Sequence, residues 1–194
     1  MQEHGTCFNI AHIEHGSEIY GPGKRFVIWF QGCSLACPGC WNKSMWSFEP
    51  CNLVEREKLL HEILAYSELD GLTVLGGEPL EQAHNLYWLL TSLQEKNVSV
   101  MLYTGYQMDE IKNDNLKSKI CEMADILVSG RYKEDERDLN LKWRGSRNQI
   151  LLVQNEIYND LDLDDGTNQV EITIDEFGTI NVLGYPDDDL CSIL

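Results

Sequence analysis

The chain has 194 residues, 43% apolar and 24% charged, enough for one domain with a substantial core and unlike a disordered protein in composition. Fifteen basic against thirty-two acidic side chains leave a formal charge of −17, which excludes broad binding to nucleic acid because one polyanion repels another. No apolar run approaches the ~18–20 residues that cross a bilayer, and the opening MQEHGTCFNIAHIEHG lacks the basic start and apolar stretch of a signal peptide, so a soluble, cytoplasmic chain with no membrane partner is expected.

Arg25 to Phe30 is a short apolar run between Gly21-Pro22-Gly23 and Gly32, and it predicts a buried strand. Cys33, Cys37 and Cys40 follow at once. Asn52 offers a helix cap with Glu55 three residues later, and Leu59, Leu60, Ile63 and Leu64 recur at helical spacing. Leu72 to Leu75 predicts a second buried strand, ending in Gly76-Gly77-Glu78-Pro79. Pro79 suits the first turn of a helix whose inner face is Ala83, Leu86, Tyr87, Leu90 and Leu93. Val98 to Tyr103 predicts a third strand running into Thr104-Gly105, helical segments follow to Met123, and Ile126 to Val128 predicts a fourth. Apolar strands alternating with helices predict right-handed βα units and a parallel sheet. Each strand ends in small or polar residues, and ligands gather at such ends, so the cysteines, the Gly-Gly-Glu-Pro turn and Thr104 are expected around one rim.

Residues 131–147 carry six bases and four acids and predict a long loop, with a further strand over 149–153. Val170 to Ile174 and Thr179 to Leu183 alternate in strand fashion around Asp175-Glu176-Phe177-Gly178, a predicted hairpin. After Arg147 there is no lysine or arginine but eleven acids, so the last 47 residues hold −11 of the −17. A core over 1–153 and an acidic C-terminal extension over 154–194 is the expected division.

Of seven cysteines, Cys7, Cys51, Cys121 and Cys191 are scattered and read mostly as buried small hydrophobes. Without a secretory signal a disulfide framework is a poor explanation. The clustered three offer soft thiolates, which select zinc, copper(I) or iron–sulfur clusters. Structural zinc wants a fourth ligand, and Cys51 and His61, the nearest candidates, lack paired spacing. Three thiolates suit a 4Fe–4S cube with one iron left open for the amine and carboxylate of a small molecule, though zinc stays open at this point. Gly23-Lys24 fails the full phosphate-loop pattern. His4, His12 and His15 read as packed or solvated rings. Asp160, Asp162, Asp164, Asp165 and Gly166 fail as a calcium loop because Ile172 stands where the glutamate should be.

The run Gln31-Gly-Cys-Ser-Leu-Ala-Cys-Pro-Gly-Cys-Trp-Asn42, followed by Gly76-Gly77-Glu78-Pro79, resembles the radical S-adenosylmethionine (radical SAM) superfamily. Gly21-Pro22-Gly23, Asn42, the LYTGY run from Leu102, the ILVSGR run from Ile126 and the WRGSRNQ run from Trp143 resemble, more narrowly, the activating proteins of anaerobic ribonucleotide reductase, over residues 8–153. The resemblance implies a 4Fe–4S cluster on Cys33, Cys37 and Cys40, with S-adenosylmethionine (SAM) on the fourth iron. It implies cofactor contacts from Gly76, Gly77, Glu78 and Pro79, whose glycines let backbone approach the methionine amine, and from Trp41 against the cluster or adenine. Thr104 and Ser129 are expected to bond the SAM carboxylate or ribose, or else only to cap helices. Arg144 and Asn148 are expected to reach SAM or a partner's backbone, the duller role for Arg144 being a surface salt bridge. No side chain is assigned a catalytic role.

The implied fold is α/β, an incomplete parallel (βα) barrel with a C-terminal β-hairpin and acidic extension, since Phe26 to Val153 is too short for eight units of ~250 residues. An open side suits a bulky substrate. The implied function is reductive cleavage of SAM to a 5′-deoxyadenosyl radical that creates a glycyl radical on a partner enzyme, expected to be anaerobic ribonucleotide reductase, with flavodoxin or ferredoxin as reductant. The rivals are a short radical SAM enzyme acting on a peptide or small metabolite, and a non-catalytic iron–sulfur electron carrier. Three rather than four clustered cysteines and the Gly-Gly-Glu-Pro turn speak against the carrier.

Overall fold

Along the chain run β1 (Cys7–Ser17), β2 (Arg25–Phe30), β3 (Asn52–Glu55), α1 (Arg56–Ala65), β4 (Gly71–Gly76), α2 (Ala83–Gln94), β5 (Val100–Thr104), α3 (Met108–Lys112), α4 (Asn115–Glu122), β6 (Ile126–Ser129), β7 (Ile150–Val153), β8 (Val170–Ile174) and β9 (Ile180–Gly184). The computed structural model describes residues 4–162, 169–174, 177–184 and 186. Asp164, Asp165 and Gly166, the hairpin-turn residues Asp175 and Glu176, and Cys191 lie outside the described residues.

Seven strands form one mixed α/β sheet in the order β3-β1-β2-β4-β5-β6-β7. Its centre is the expected parallel set, with Phe30 opposite Gly76 and Thr104 opposite Ser129, so the strand ends share one edge. The flanks correct the all-parallel expectation: β1, β3 and β7 all join antiparallel. The alternation of β1 is broken by two register shifts, between Ile10 and His12 and between Glu14 and Ser17, which hid the strand in the sequence. Asn52, expected to cap a helix, instead opens β3 opposite Ile10, and α1 begins only at Arg56.

Alternation divides the central strands between two buried faces. On one face Phe26, Ile28, Phe30, Leu72, Val74, Leu102 and Leu127 pack under Leu59, Ile63, Leu86, Leu90, Leu93 and Ile120 of the helices. On the other lie Val27, Trp29 and Leu75, and Met101, Ile126 and Val128, covered by Ile19, Trp143, Tyr158, Leu161 and Leu183 from loops and the hairpin. Burial on both sides explains the uninterrupted apolar runs. Among the described residues no helix is long and apolar enough to cross a membrane.

Among the described residues Cys121 is buried, as expected, whereas Cys7 is half-buried and Cys51 exposed, which corrects the expectation of buried hydrophobes for those two. His15 is exposed yet held against the sheet, its Nε2 2.8 Å from Glu62 Oε1 and its ring edge-on to Phe26.

Candidate functional site

The cysteine loop leaves the end of β2 and is clamped at its base. Gly32 N–H donates to the Met45 carbonyl at 2.9 Å and Cys33 N–H to Trp46 at 3.1 Å, closing the loop on itself. The Gln31 amide donates to the Ser47 carbonyl at 2.7 Å, and the Gln82 amide donates to the carbonyls of Asn9 and Gln31 at 2.8 and 3.0 Å. Within the loop Ala36 (φ 44°) and Gly39 (φ 72°) take left-handed conformations. Ser34 Oγ donates to Glu81 Oε1, and the Tyr106 hydroxyl donates to the same oxygen at 3.1 Å, so the loop is tied to the start of the α2 segment and to the end of β5.

The Gly-Gly-Glu-Pro turn lies directly against this loop. Gly77 N–H donates to the Phe30 carbonyl at 2.7 Å and Glu78 N–H to Gly32 at 2.8 Å. A Cβ on Gly76 (φ +114°) would sit 2.4 Å from Phe30 N, and one on Gly77 would sit 2.5 Å from the Gly32 carbonyl oxygen. The chain's own backbone therefore demands both glycines, a nearer reason than approach to a ligand. Glu78 caps the 3-10 turn that Pro79 begins, its Oε1 accepting from Leu80 N–H at 3.0 Å. The same carboxylate accepts from the Thr104 hydroxyl at 2.8 Å and from Gly105 N–H at 2.7 Å. Burial pushes the Glu78 carboxyl up to about 7, against the pull of its three donors.

Cys33, Cys37 and Cys40 line one cavity together with Trp41, Gly76, Gly77 and Thr104. It encloses about 1020 Å³ of empty space, the part open to solvent included. Glu78 and Pro79, expected among the ligand contacts, are buried beneath the turn and do not line it. Thr104 contributes to the wall, but its hydroxyl hydrogen is committed to Glu78. Ser129 is separate, at a second depression with Met108, Lys112 and Asn148. Strand alternation puts Ser129, together with its register partner Thr104, on the face of Leu127, under the helices. Asn148 is likewise outside the cavity and holds its own loop, donating to the Arg131 carbonyl at 2.8 Å.

The predicted loop over 131–147 folds back over the cavity and brings Arg137 and Arg144 to its wall. Arg144 Nη1 lies 3.5 Å from the Gln149 carbonyl, and its Nε is buried with no hydrogen-bond partner among the described residues. Arg137 was not singled out in the sequence; its guanidinium lies 6.0 Å from the ring centre of Trp41, which is 52% exposed. The available signal was six bases within seventeen residues of an acidic chain.

Burial pushes the Cys33 thiol up to about 11, while the backbone N–H groups of Leu35 and Ala36 pull the other way by stabilising a thiolate. Cys37 is raised by burial and by Cys40, and lowered by the Tyr132 backbone and Arg131. Among the described residues no three His, Cys, Asp or Glu side chains converge to hold a single metal ion. The three thiols share the wall of one cavity instead, which fits a polynuclear group taking one thiolate at each of three metal atoms.

A family model described as a 4Fe-4S single cluster domain matches residues 19–152. The chain is 36% identical over 143 residues to the anaerobic ribonucleoside-triphosphate reductase-activating protein of Pasteurella multocida, covering 69% of this chain and 89% of that protein. The protein of the same name from Enterobacteria phage T4 is 34% identical over 141 residues, covering 69% of this chain and 86% of the phage protein. The Escherichia coli K12 protein of that name is 29% identical over 142 residues, with 69% and 90% covered. The crystal structure of QueE from Escherichia coli aligns with a TM-score of 0.41 at 18% identity, over 62% of this chain and 68% of that one, too loosely to carry an argument.

Proposed function

This chain belongs to the family of anaerobic ribonucleoside-triphosphate reductase-activating proteins, and we propose that it generates a glycyl radical on an anaerobic ribonucleotide reductase, using a 4Fe–4S cluster and SAM. A reduced cluster bound there would supply one electron for reductive cleavage of SAM to methionine and a 5′-deoxyadenosyl radical, the species that would take a hydrogen atom from a glycine α-carbon of the partner. Cys33, Cys37 and Cys40 would hold the cluster as thiolates. The N–H groups of Leu35 and Ala36, directed at the Cys33 sulfur, offset the cost of holding its negative charge away from water.

Gly76 and Gly77 form the wall facing SAM. Their part is to keep that wall flat, and Glu78 and Pro79 brace it from beneath. Trp41, on the cavity wall with a half-exposed ring, would offer an apolar face to the cluster or the adenine. Arg144 meets the SAM carboxylate, a role supported by its cavity position and its unpartnered buried Nε. Thr104 acts through Glu78, and Ser129 lines a separate depression. The observation that carries this reading is the meeting of three spaced thiols and the Gly76-Gly77 turn in one cavity at the ends of parallel strands.

The strand order supports a partial barrel, open on one side, over residues 1–153, with 154–194 as an appended segment. Flavodoxin or ferredoxin is the proposed electron donor. The deciding experiment is anaerobic reconstitution with iron and sulfide, then SAM and dithionite, with and without purified anaerobic ribonucleotide reductase from the same organism. Release of 5′-deoxyadenosine and a glycyl-type electron paramagnetic resonance doublet on the reductase are expected. Reconstituted protein that leaves SAM intact would overturn the proposal.

A further inference from the structure

The hairpin of β8 and β9 lies outside the residues matched by the family model, and its two faces are unlike. The base of one face is docked on the body, while Thr173 and Asn181, nearer the turn on that face, are exposed. Glu171 Oε2 accepts from Ser17 Oγ at 2.7 Å, Gly184 N–H donates to the Tyr20 hydroxyl at 2.7 Å, and Leu183 packs against the group of Tyr20, Trp29 and Leu75.

The register pairs Ile174 with Ile180 and Ile172 with Val182; Val182, at the docked end, is half-buried beside the body, and alternation sends the three isoleucines to the opposite, outer face. There Ile172, Ile174 and Ile180 are 47%, 67% and 51% exposed, and Phe177 beside the turn is 86% exposed. A hairpin packed on one side ordinarily shows polar residues to water. This one shows isoleucines, and a contiguous exposed apolar surface marks an interaction site.

The hairpin also stands at the rim of the cysteine cavity. Val182, Leu183 and Gly184 border a cleft with Trp41, Asn42 and Leu75, and those last three also line the cavity. Arg137, another cavity residue, donates to the Pro186 carbonyl at 3.3 Å. Charge narrows the choice of occupant. The sequence from residue 148 onward holds eleven acids and no lysine or arginine, so an apolar strip set in it favours a partner edged with basic residues. A second copy of the chain is disfavoured, because it would bring another −17 and the same acidic segment.

We infer that the outer hairpin face, Ile172, Ile174 and Ile180, is a docking surface for the protein substrate, receiving an apolar patch bordered by lysine and arginine beside the mouth of the cavity. The identity of that substrate rests on the activase reading above.

The test titrates the cluster-loaded full chain against purified anaerobic ribonucleotide reductase from the same organism by calorimetry under anoxic conditions. Combining Ile172→Ser, Ile174→Ser and Ile180→Ser should weaken binding at least ~10-fold, and wild-type affinity should fall as salt is raised. Dithionite-driven SAM cleavage without the reductase should be unchanged in the variant, so docking is read apart from chemistry. At Ile174 alone, the most exposed of the three, Ile174→Lys should weaken binding more than Ile174→Glu. Full affinity in the triple variant, the reverse order at position 174, or a wild-type dimer that the triple variant dissolves would each overturn the docking surface. Wild-type protein unable to cleave SAM would instead strike the activase reading.

Discussion

Thr104 donates its hydroxyl hydrogen to Glu78 Oε1 at 2.8 Å, joining the end of β5 to the turn after β4 through a carboxylate that is 1% exposed. With Gly105 N–H on the other oxygen, the link spans two neighbouring parallel strands immediately beneath the cavity. The rim of the site is therefore braced by a group that does not itself face the cavity.

Glu78 should give the protein a pH-dependent stability that Glu78→Gln lacks. Its folded pKa of about 7 lies above the ordinary value of 4.5. The native carboxyl therefore keeps a proton that the unfolded chain has already lost, and stability falls between those two values and levels above about 7. Urea denaturation at pH 5 and pH 8 should show wild type losing ~2.5 kcal/mol more than Glu78→Gln. Thr104→Val, which removes one donor, should cost about 1–2 kcal/mol, and Thr104→Ser should restore most of it. Equal pH slopes for wild type and Glu78→Gln would remove the burial argument.

Gly77→Ala should be among the most damaging single-methyl changes in the protein. Its Cβ would stand 2.5 Å from the Gly32 carbonyl oxygen and 2.8 Å from that of Met45, and backbone cannot swing aside as a side chain can. A loss of ~3 kcal/mol in thermal or urea unfolding is expected. Gly5→Ala meets nothing within 4 Å and bears only the strain of φ +61°, about 1 kcal/mol. Similar losses at both positions would show that the clearance at Gly77 is unimportant.

Cys37→Ala should abolish the visible absorption of the reconstituted cluster together with SAM cleavage, while Cys121→Ala should leave both intact. Cys121 is buried in the helix-side core, away from the cavity, where burial pushes its thiol up to about 12. Its removal should cost only ~1 kcal/mol of stability. An unchanged 4Fe–4S spectrum with full cleavage in Cys37→Ala would refute the ligand assignment.

The paired hydrogen bonds of Arg131 to Glu110, at 2.5 and 2.8 Å, hold the Glu110 carboxyl down at about 2. A depressed folded pKa stabilises above the ordinary 4.5, and that stability fades as pH falls toward 2. Both side chains are about one-third exposed, so solvent screening limits the pair to less than ~1 kcal/mol. In Arg131→Ala the Glu110 carboxyl should titrate much closer to 4.5 in a nuclear magnetic resonance pH series, with unfolding above pH 6 changed by less than ~1 kcal/mol. A titration unmoved by the substitution would show that Arg131 is not the cause.

The central strands were legible because β2, β4, β5 and β6 are buried on both faces, which writes a continuous apolar run into each. Two register shifts hid β1 by breaking its period of two. Asn52 and Glu55, at the spacing of a helix-capping pair, begin and end a four-residue strand, since local spacing cannot report that β1 pairs alongside. Ser129 is at a strand end as expected, yet it lines a separate depression and not the cavity, a difference that only the packing of distant segments around each strand end creates.

From the residues alone came the thiol spacing, the glycine turn, the family resemblance and the concentration of acid near the C-terminus, all of them properties of neighbours in the chain. The fold itself decided that Glu78 is bonded to Thr104 beneath the turn, that Arg137 and Arg144 line the cavity, and that the hairpin turns isoleucines outward. Each of these depends on contacts between distant segments: Glu78 meets Thr104 across 26 positions, and Ser17 meets Glu171 across 154. Side-chain direction at such meetings is set by strand register and by which face is covered, and neither is encoded in local composition.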